Sequence, residues 1–221
     1  MSGPFFSGSQ PHQLRVSLVA QYSCVISFPK LSIWGPSVMG TKVDFPTDKI
    51  RRFLEPGPIV LLSSAHRGER NIMTLGWHMM LEFEPALVGC YIWDANRSFK
   101  LIRASKECVI NVPTVDLVDT VIGIGNSHGG EIDKFERFGL NPARAMKVKA
   151  PLIAECYANF ECRLIDTSLI NRYSLFVFEV VKAHVAKSPR YPPTLHYRGD
   201  GVFMVSGPNR SYRKRFKPEN L

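Results

Sequence analysis

Apolar and polar positions along the chain fall into short runs with a two-residue period or none, and sustained helical spacing is scarce. The clearest alternation spans residues 153–165. Ala154, Cys156, Ala158, Phe160, Cys162 and Leu164 face one way, and Glu155, Tyr157, Asn159, Glu161 and Arg163 face the other. That period predicts a half-buried strand. The continuous apolar runs Ile59–Ser63, Leu87–Ile92 and Cys108–Val112, each bounded by turn residues, predict buried strands. Tyr173–Ala183 is apolar on both faces and predicts a central strand, reached through a turn at 166–171. Helical spacing is confined to short pieces. Thr47 caps one through Leu54, stopped by Pro56-Gly57-Pro58; others cover Ser98 to about Ser105, Asp116–Ile122, and Lys134–Phe138, ended by Gly139. Arg67-Gly68-Glu69-Arg70 reads as a turn. Many strands with only short helices between them predict a mainly β, antiparallel barrel of the α+β class rather than a doubly wound sheet.

Residues 1–38 break this pattern. They hold no acid, are rich in Ser, Gly and Pro, and show no period, so they read as an N-terminal extension of a domain that begins near Met39. An acid-poor, Ser-rich start is also the composition of an organellar transit peptide. The domain then runs over 39–207, and a basic tail over 208–221.

Composition narrows the function classes. The chain has 221 residues, 45% hydrophobic and 21% charged, which fits an ordinary globular domain and excludes a fibrous or disordered one. Five cysteines without a CxxC pair argue against a disulfide scaffold or a zinc site and fit a reducing cytoplasm. No apolar run approaches the roughly 20 residues of a membrane-spanning helix. The net charge of +9 raises the question of nucleic acid, but its distribution argues otherwise. Residues 1–43 carry three basic residues and no acid, residues 190–221 seven basic and two acidic, and residues 44–189 eighteen basic and seventeen acidic. The body is neutral and the ends are basic, whereas a phosphate-backbone surface needs its cations on the folded body. Neither nucleic acid nor membrane is expected as a partner.

Few motifs carry chemistry. Gly123-Ile-Gly125-Asn-Ser-His-Gly129-Gly130 has GxGxxxG spacing after a helix, the wrong spacing and place for a dinucleotide fingerprint, and reads as a mobile surface loop. The histidines form no paired-ligand spacing, and no metal is expected. No catalytic side-chain set can be assembled either. The informative stretch is 71–111. Asn96-Arg97-Ser98-Phe99-Lys100 sits where a strand gives way to a helix. It would offer a phosphate free backbone N–H groups, the Ser98 hydroxyl and two cations. Upstream, Met73-Thr74-Leu75-Gly76-Trp77 combines a hydroxyl, a glycine that lets backbone approach a flat ring, and a large aromatic face.

Four motifs in succession resemble the flavin reductase-like family, whose fold is the FMN-binding split barrel. They are Asn71-x-Met73-Thr74-x-x-Trp77, Arg97-Ser98, Cys108-Val-Ile-Asn111-Val-Pro113 and Asp133-Lys134-Phe135-Glu136-x-x-Gly139-Leu140. Pro56-Gly57-Pro58 before a hydrophobic strand matches the family's opening, and the resemblance covers roughly residues 44–205. It implies a six-stranded Greek-key barrel that dimerises and holds FMN non-covalently near the subunit interface. Asn71, Met73, Thr74 and Trp77 would then line the flavin, with Leu75 and Gly76 offering backbone groups. Asn96, Arg97, Ser98 and Lys100 would serve the phosphate and ribityl end, with Asn111 and Lys134 close to the cofactor. Tyr173 stands where relatives often have histidine, and Phe203 would supply a C-terminal aromatic. The resemblance implies NAD(P)H as electron donor, hydride transfer to the flavin without a protein acid or base, and an electron-accepting partner protein. One cationic phosphate cluster is visible, which favours FMN over FAD. An FMN electron carrier resembling flavoredoxin is the alternative, and a basic binding module built on the tail is a remote one.

Overall fold

The computed structural model describes residues 40–50 and 57–220. The residue 1–38 extension and the helix continuing to Leu54 lie largely or wholly outside them. The chain runs β1 (Lys42–Phe45), a 3-10 turn at Thr47–Lys49, β2 (Val60–His66), β3 (Glu69–Leu75), β4 (His78–Glu82) and β5 (Leu87–Tyr91). Then come α1 (Arg97–Ser105), β6 (Glu107–Val112), α2 (Val118–Gly125), α3 (Lys134–Arg137), β7 (Pro142–Ala143) and β8 (Leu152–Ile153). β9 (Ala158–Asp166), α4 (Ile170–Tyr173), β10 (Leu175–Ala186), β11 (Leu195–Gly199) and β12 (Val202–Val205) complete the order. Pro46, not Thr47, holds the N-cap position of the 3-10 turn. No described helix is long and apolar enough to cross a membrane.

The main sheet has the order β3-β2-β6-β9-β10-β5-β4, with β1 beside β10, and its pairs are antiparallel. Its eight described strands are two more than the six expected; β1 and the β4 arm of the β4–β5 hairpin extend it. Val60, Leu75, Val88, Ile110, Phe160 and Phe178, from six different strands, meet in one buried cluster, so the sheet curls on itself. β3 and β4 stand at opposite ends of the strand order yet are joined by only Gly76 and Trp77, and this junction is the seam of the barrel.

A second cluster covers the outside of β2 and β3. Leu61 and Ile72 pack there against Val121 and Ile124 of α2, Phe135 of α3 and Ile153 of β8. Each fully buried aliphatic or aromatic side chain contributes about 1.5–3 kcal/mol, so this layer holds α2 and α3 firmly on β3. Between β2 and β3, Arg67 and Gly68 have φ of 49° and 85°, the double positive pattern of a two-residue type I′ hairpin; Glu69 and Arg70 belong to β3 rather than to the turn.

Two expectations change in the fold. β9 is buried on both faces from Ala158 to Cys162, because the segment 141–153 folds over its polar side. Glu161 is fully buried there and accepts the backbone N–H groups of Met146 (2.9 Å), Lys147 (2.5 Å) and Val148 (3.2 Å) and a bond from His184 Nε2 (2.7 Å). Burial pushes its carboxyl pKa up, but these donors outweigh burial and hold it below the usual value. The glycine cluster is a surface loop only from Asn126 onward. Gly123 and Gly125 end α2, and a Cβ on Gly123 would lie 2.4 Å from the Phe138 ring.

Candidate functional site

The seam carries an apolar cleft of about 440 Å³, lined by Thr74, Gly76, Trp77, Tyr197 and Phe203 among others. β3 directs Thr74 outward, where its hydroxyl donates to the Val121 carbonyl (2.7 Å) and ties the strand to α2. Gly76 lies against the Ile59 side chain, with room for a Cβ only 3.0 Å from Cδ1, so backbone lines the cleft at that point. Trp77 is 71% exposed and tilts against Tyr91 with 5.1 Å between ring centroids; Phe203 meets Tyr197 at the same separation.

At the other end of β3 lies a polar cleft of about 790 Å³, lined by Arg70, Arg97 and the segment Gly129–Asp133. Both cations are partnered. Arg97 makes a bidentate pair with Glu69, and this holds the Glu69 carboxyl below its ordinary pKa. Arg70 pairs with Asp133 (2.7 Å), which also caps α3 by accepting from Phe135 N–H (2.9 Å). Burial pushes the Asp133 pKa up, and Arg70 with that N–H outweighs it and brings it down. From Arg70 to Thr74 a strand rises about 13 Å. The segment 125–133 follows β3 over this length, touching the apolar cleft at Gly125 and the polar cleft at Gly129. The two clefts flank opposite ends of the same strand.

Between them sits Asn71, 3% exposed. Its Nδ2 donates to Ser98 Oγ (3.0 Å), which also accepts from Ser64 Oγ (3.2 Å). Its Oδ1 is buried with no hydrogen-bond partner among the described residues. Gly129 rests directly on it, and a Cβ there would fall 2.0 Å from Oδ1. Lys134 is 4% exposed, and its Nζ donates to the Ile124 carbonyl at the end of α2 (2.9 Å). Burial lowers its pKa to about 8. A cation suits the negative end of a helix.

The structure therefore brings Thr74, Gly76, Trp77 and Phe203 to the apolar cleft and Arg97 to the polar one, with Asn71 between them. Other predicted residues lie elsewhere. Met73 and Leu75 turn their side chains into the barrel core. Ser98 is fully buried, its hydroxyl directed at Asn71 and Ser64 rather than at an open phosphate site. Asn96 is half-buried and its amide donates to Trp93 O (3.3 Å); Lys100 is exposed and lines neither cleft. Tyr173 is exposed at the end of α4, beneath the Arg172 guanidinium, away from both clefts. Asn111 is a correction with a clear cause. It is fully buried, donates to Leu61 O (2.9 Å) and Ser63 Oγ (3.1 Å), and accepts from Ile153 N (3.0 Å) and Asn159 Nδ2 (2.7 Å). An amide with both ends satisfied by protein has nothing left for a ligand.

Sequence reasoning missed Arg70 and His78. Arg70 lies one residue before the motif that begins at Asn71. His78 follows Trp77; its Nε2 bonds the Pro58 carbonyl (2.7 Å), its Nδ1 is buried without a partner among the described residues, and burial lowers its pKa. No spacing rule marks a single histidine of this kind. Among the described residues no side-chain cluster could hold a metal ion.

A mainly antiparallel split barrel with a groove at its seam defines a class, and comparison places the chain within it. The flavin reductase like domain matches residues 51–203, and the chain belongs to the flavin reductase-like family. It is similar to an uncharacterized protein of Archaeoglobus fulgidus, 34% identical over 131 residues that cover 58% of this chain and 73% of the relative. It is also similar to the uncharacterized protein YddH of Escherichia coli, 33% identical over 170 residues, 71% of this chain and 90% of the relative. Among solved structures, the FMN-binding domain of a flavin reductases-like enzyme from Shewanella baltica superposes with a TM-score of 0.74 at 24% identity. That match covers 79% of this chain and 99% of the other. Flavoredoxin of Desulfovibrio vulgaris superposes with a TM-score of 0.65 at 20% identity, covering 71% and 90%. These likenesses establish the fold.

Proposed function

We propose that the groove along β3 binds FMN and that the protein is an NAD(P)H-dependent oxidoreductase of the flavin reductase type. One observation carries the reading: an apolar, aromatic-edged cleft and a polar cleft with two ion-paired arginines flank a buried amide oxygen that lacks a partner among the described residues. The residues fit the cofactor. Thr74, the backbone at Gly76, and Trp77 and Phe203 suit a flat heteroaromatic ring; Arg70 and Arg97 suit a phosphate; Asn71 Oδ1 is an acceptor for a ligand N–H or O–H. When bound, FMN supplies the hydride-accepting and hydride-donating chemistry. The chain's own residues bind and orient. Lys134, protonated below about pH 8, keeps a positive charge at the end of α2 next to the groove. The aromatic edge of the apolar cleft limits water at that end.

The same reading includes a homodimer. Trp77, Met79, Leu81 and Phe83 alternate along one exposed face at β4. Register carries that face across Gly89 and Tyr91 of β5 to Val177 and Leu175 of β10, both half-buried in the single chain. A contiguous apolar sheet face of this kind marks an interaction surface. A second copy related by a two-fold axis would cover it with the same residues.

The test is anaerobic reduction. Protein loaded with FMN is mixed with NADH or NADPH and followed at the flavin absorbance band, with dithionite as reference. Bleaching by either nicotinamide is the expected outcome. Bleaching by dithionite alone would replace the reductase reading with that of an FMN electron carrier, and failure to bind FMN in a fluorescence titration would remove both.

A further inference from the structure

A third cleft, of about 670 Å³, lies on the far side of the β2–β3 hairpin and shares Gly68, Glu69 and Arg70 with the polar end of the groove. Its charge differs from that of its neighbour. The polar cleft's cations are neutralised, Arg97 by Glu69 and Arg70 by Asp133. In the third cleft, His66 and Arg67 at the hairpin tip and Lys149 before β8 have no side-chain hydrogen bond or ion pair to any described residue. Glu107, at the start of β6, accepts the Lys149 backbone N–H through Oε1 (3.0 Å) and keeps Oε2. Ala65, Ala104 and Pro151 give the cleft apolar wall.

We infer that this cleft holds the adenosine-phosphate half of a dinucleotide whose other half reaches the flavin groove; the inference rests on the proposed flavin site. The volume lies within the range of small-ligand pockets, about 300–1,000 Å³, and exceeds what a lone phosphate needs. Arg67 and Lys149 supply charge-assisted donors for phosphate oxygens, which are stronger than neutral ones. The Glu107 carboxylate accepts from ribose hydroxyls, and the aliphatic wall takes the purine. The ligand's diphosphate would cross at Gly68–Arg70, where the two clefts meet. Sequence scanning sees one phosphate cluster, because His66 and Arg67 lie some eighty residues from Lys149 along the chain and meet only in the fold.

Two sources have this chemistry, a reduced nicotinamide dinucleotide and FAD, and the experiment separates them. Calorimetric titration of ADP into FMN-loaded protein and into flavin-free protein reads the cleft directly, with inorganic phosphate as control. The variants are Arg67→Asn, chosen because asparagine tolerates the left-handed backbone of the hairpin, and Lys149→Gln. ADP should bind both forms, and each variant should weaken it about tenfold while FMN affinity stays within twofold of wild type. FAD binding flavin-free protein more tightly than FMN, with the gain lost in both variants, would identify FAD as the source. Equal FAD and FMN affinity with ADP binding retained on FMN-loaded protein would identify the nicotinamide. The inference is overturned if ADP binds neither form, if inorganic phosphate binds as tightly as ADP, or if the variants leave ADP binding unchanged. Binding of ADP, with the variant effects, by protein that ignores FMN would keep the cleft and remove the flavin reading.

Discussion

Asn111 and Asn71 are both buried strand asparagines within reach of β2, and they differ in how fully their hydrogen-bonding positions are filled. Asn111 joins five partners from β2, β6, β8 and β9, and Asn159 extends the network to Lys42, which donates to its Oδ1 (2.5 Å) and so ties β1 to the barrel. Asn71 has a satisfied nitrogen and an orphaned oxygen. A buried polar group without a partner costs about 1–3 kcal/mol, so a fold retains one where something else, such as a ligand, completes it. Residue type and burial are the same in the two cases. Only the count of filled hydrogen-bonding positions tells the scaffold amide from the one in the proposed site.

The largest expected effect tests the saturated side of that contrast. Asn111→Ala strips partners from the Ile153 N–H and the Asn159 amide and should cost roughly 3–5 kcal/mol. The midpoint of urea denaturation measures it, and a loss under about 1 kcal/mol would break the comparison. Glu161→Gln applies the same logic to a charge and should cost about 3 kcal/mol at neutral pH. The Glu161 carboxyl is held below its ordinary value of 4.5, so its contribution is present above that value and is lost as pH falls through the depressed folded value. Melting temperature should therefore fall more steeply below about pH 4.5 in wild type than in the variant.

On the unsaturated side, Asn71→Ala should change stability by less than about 1 kcal/mol while weakening FMN about tenfold, read by fluorescence quenching. Large destabilisation with normal flavin affinity would place Asn71 with Asn111. Lys134 resembles Asn71 in having a single described partner for a group that can make three bonds. Its folded pKa is near 8 against 10.5 for an ordinary lysine, so between those values the unfolded chain binds more protons and stability rises with pH. Lys134→Met should flatten that rise by about 1 kcal/mol, or about 3 °C in melting temperature between pH 8 and 10.

Several elements were legible in the chain because their causes are local. The helix from residue 98, the strands at 60, 87 and 107, the short helix at Lys134 and its stop at Gly139 follow from side-chain period and backbone freedom within a few residues. That Thr74, Gly76 and Trp77 share one cleft was legible because they adjoin one another at the end of a strand. Periodicity misread β9, since the cover over Glu161 comes from residues about fifteen positions away. The partners of Ser98 and Asn111 were not legible because they are set by neighbouring strands, which local pattern does not contain.

The sequence by itself determined the mainly β class, the family and the apolar end of the groove, since strand period and a contiguous motif are short-range properties. Tertiary structure alone decided which of two buried asparagines has an open acceptor. It alone decided that Arg70 and Arg97 are neutralised while His66, Arg67 and Lys149 converge without described partners, and that the exposed faces of β4, β5 and β10 are continuous. These are facts about distance and desolvation between residues far apart in the chain. The energy of a polar or charged group depends on which partners replace the water it loses on burial, and only the folded arrangement supplies them.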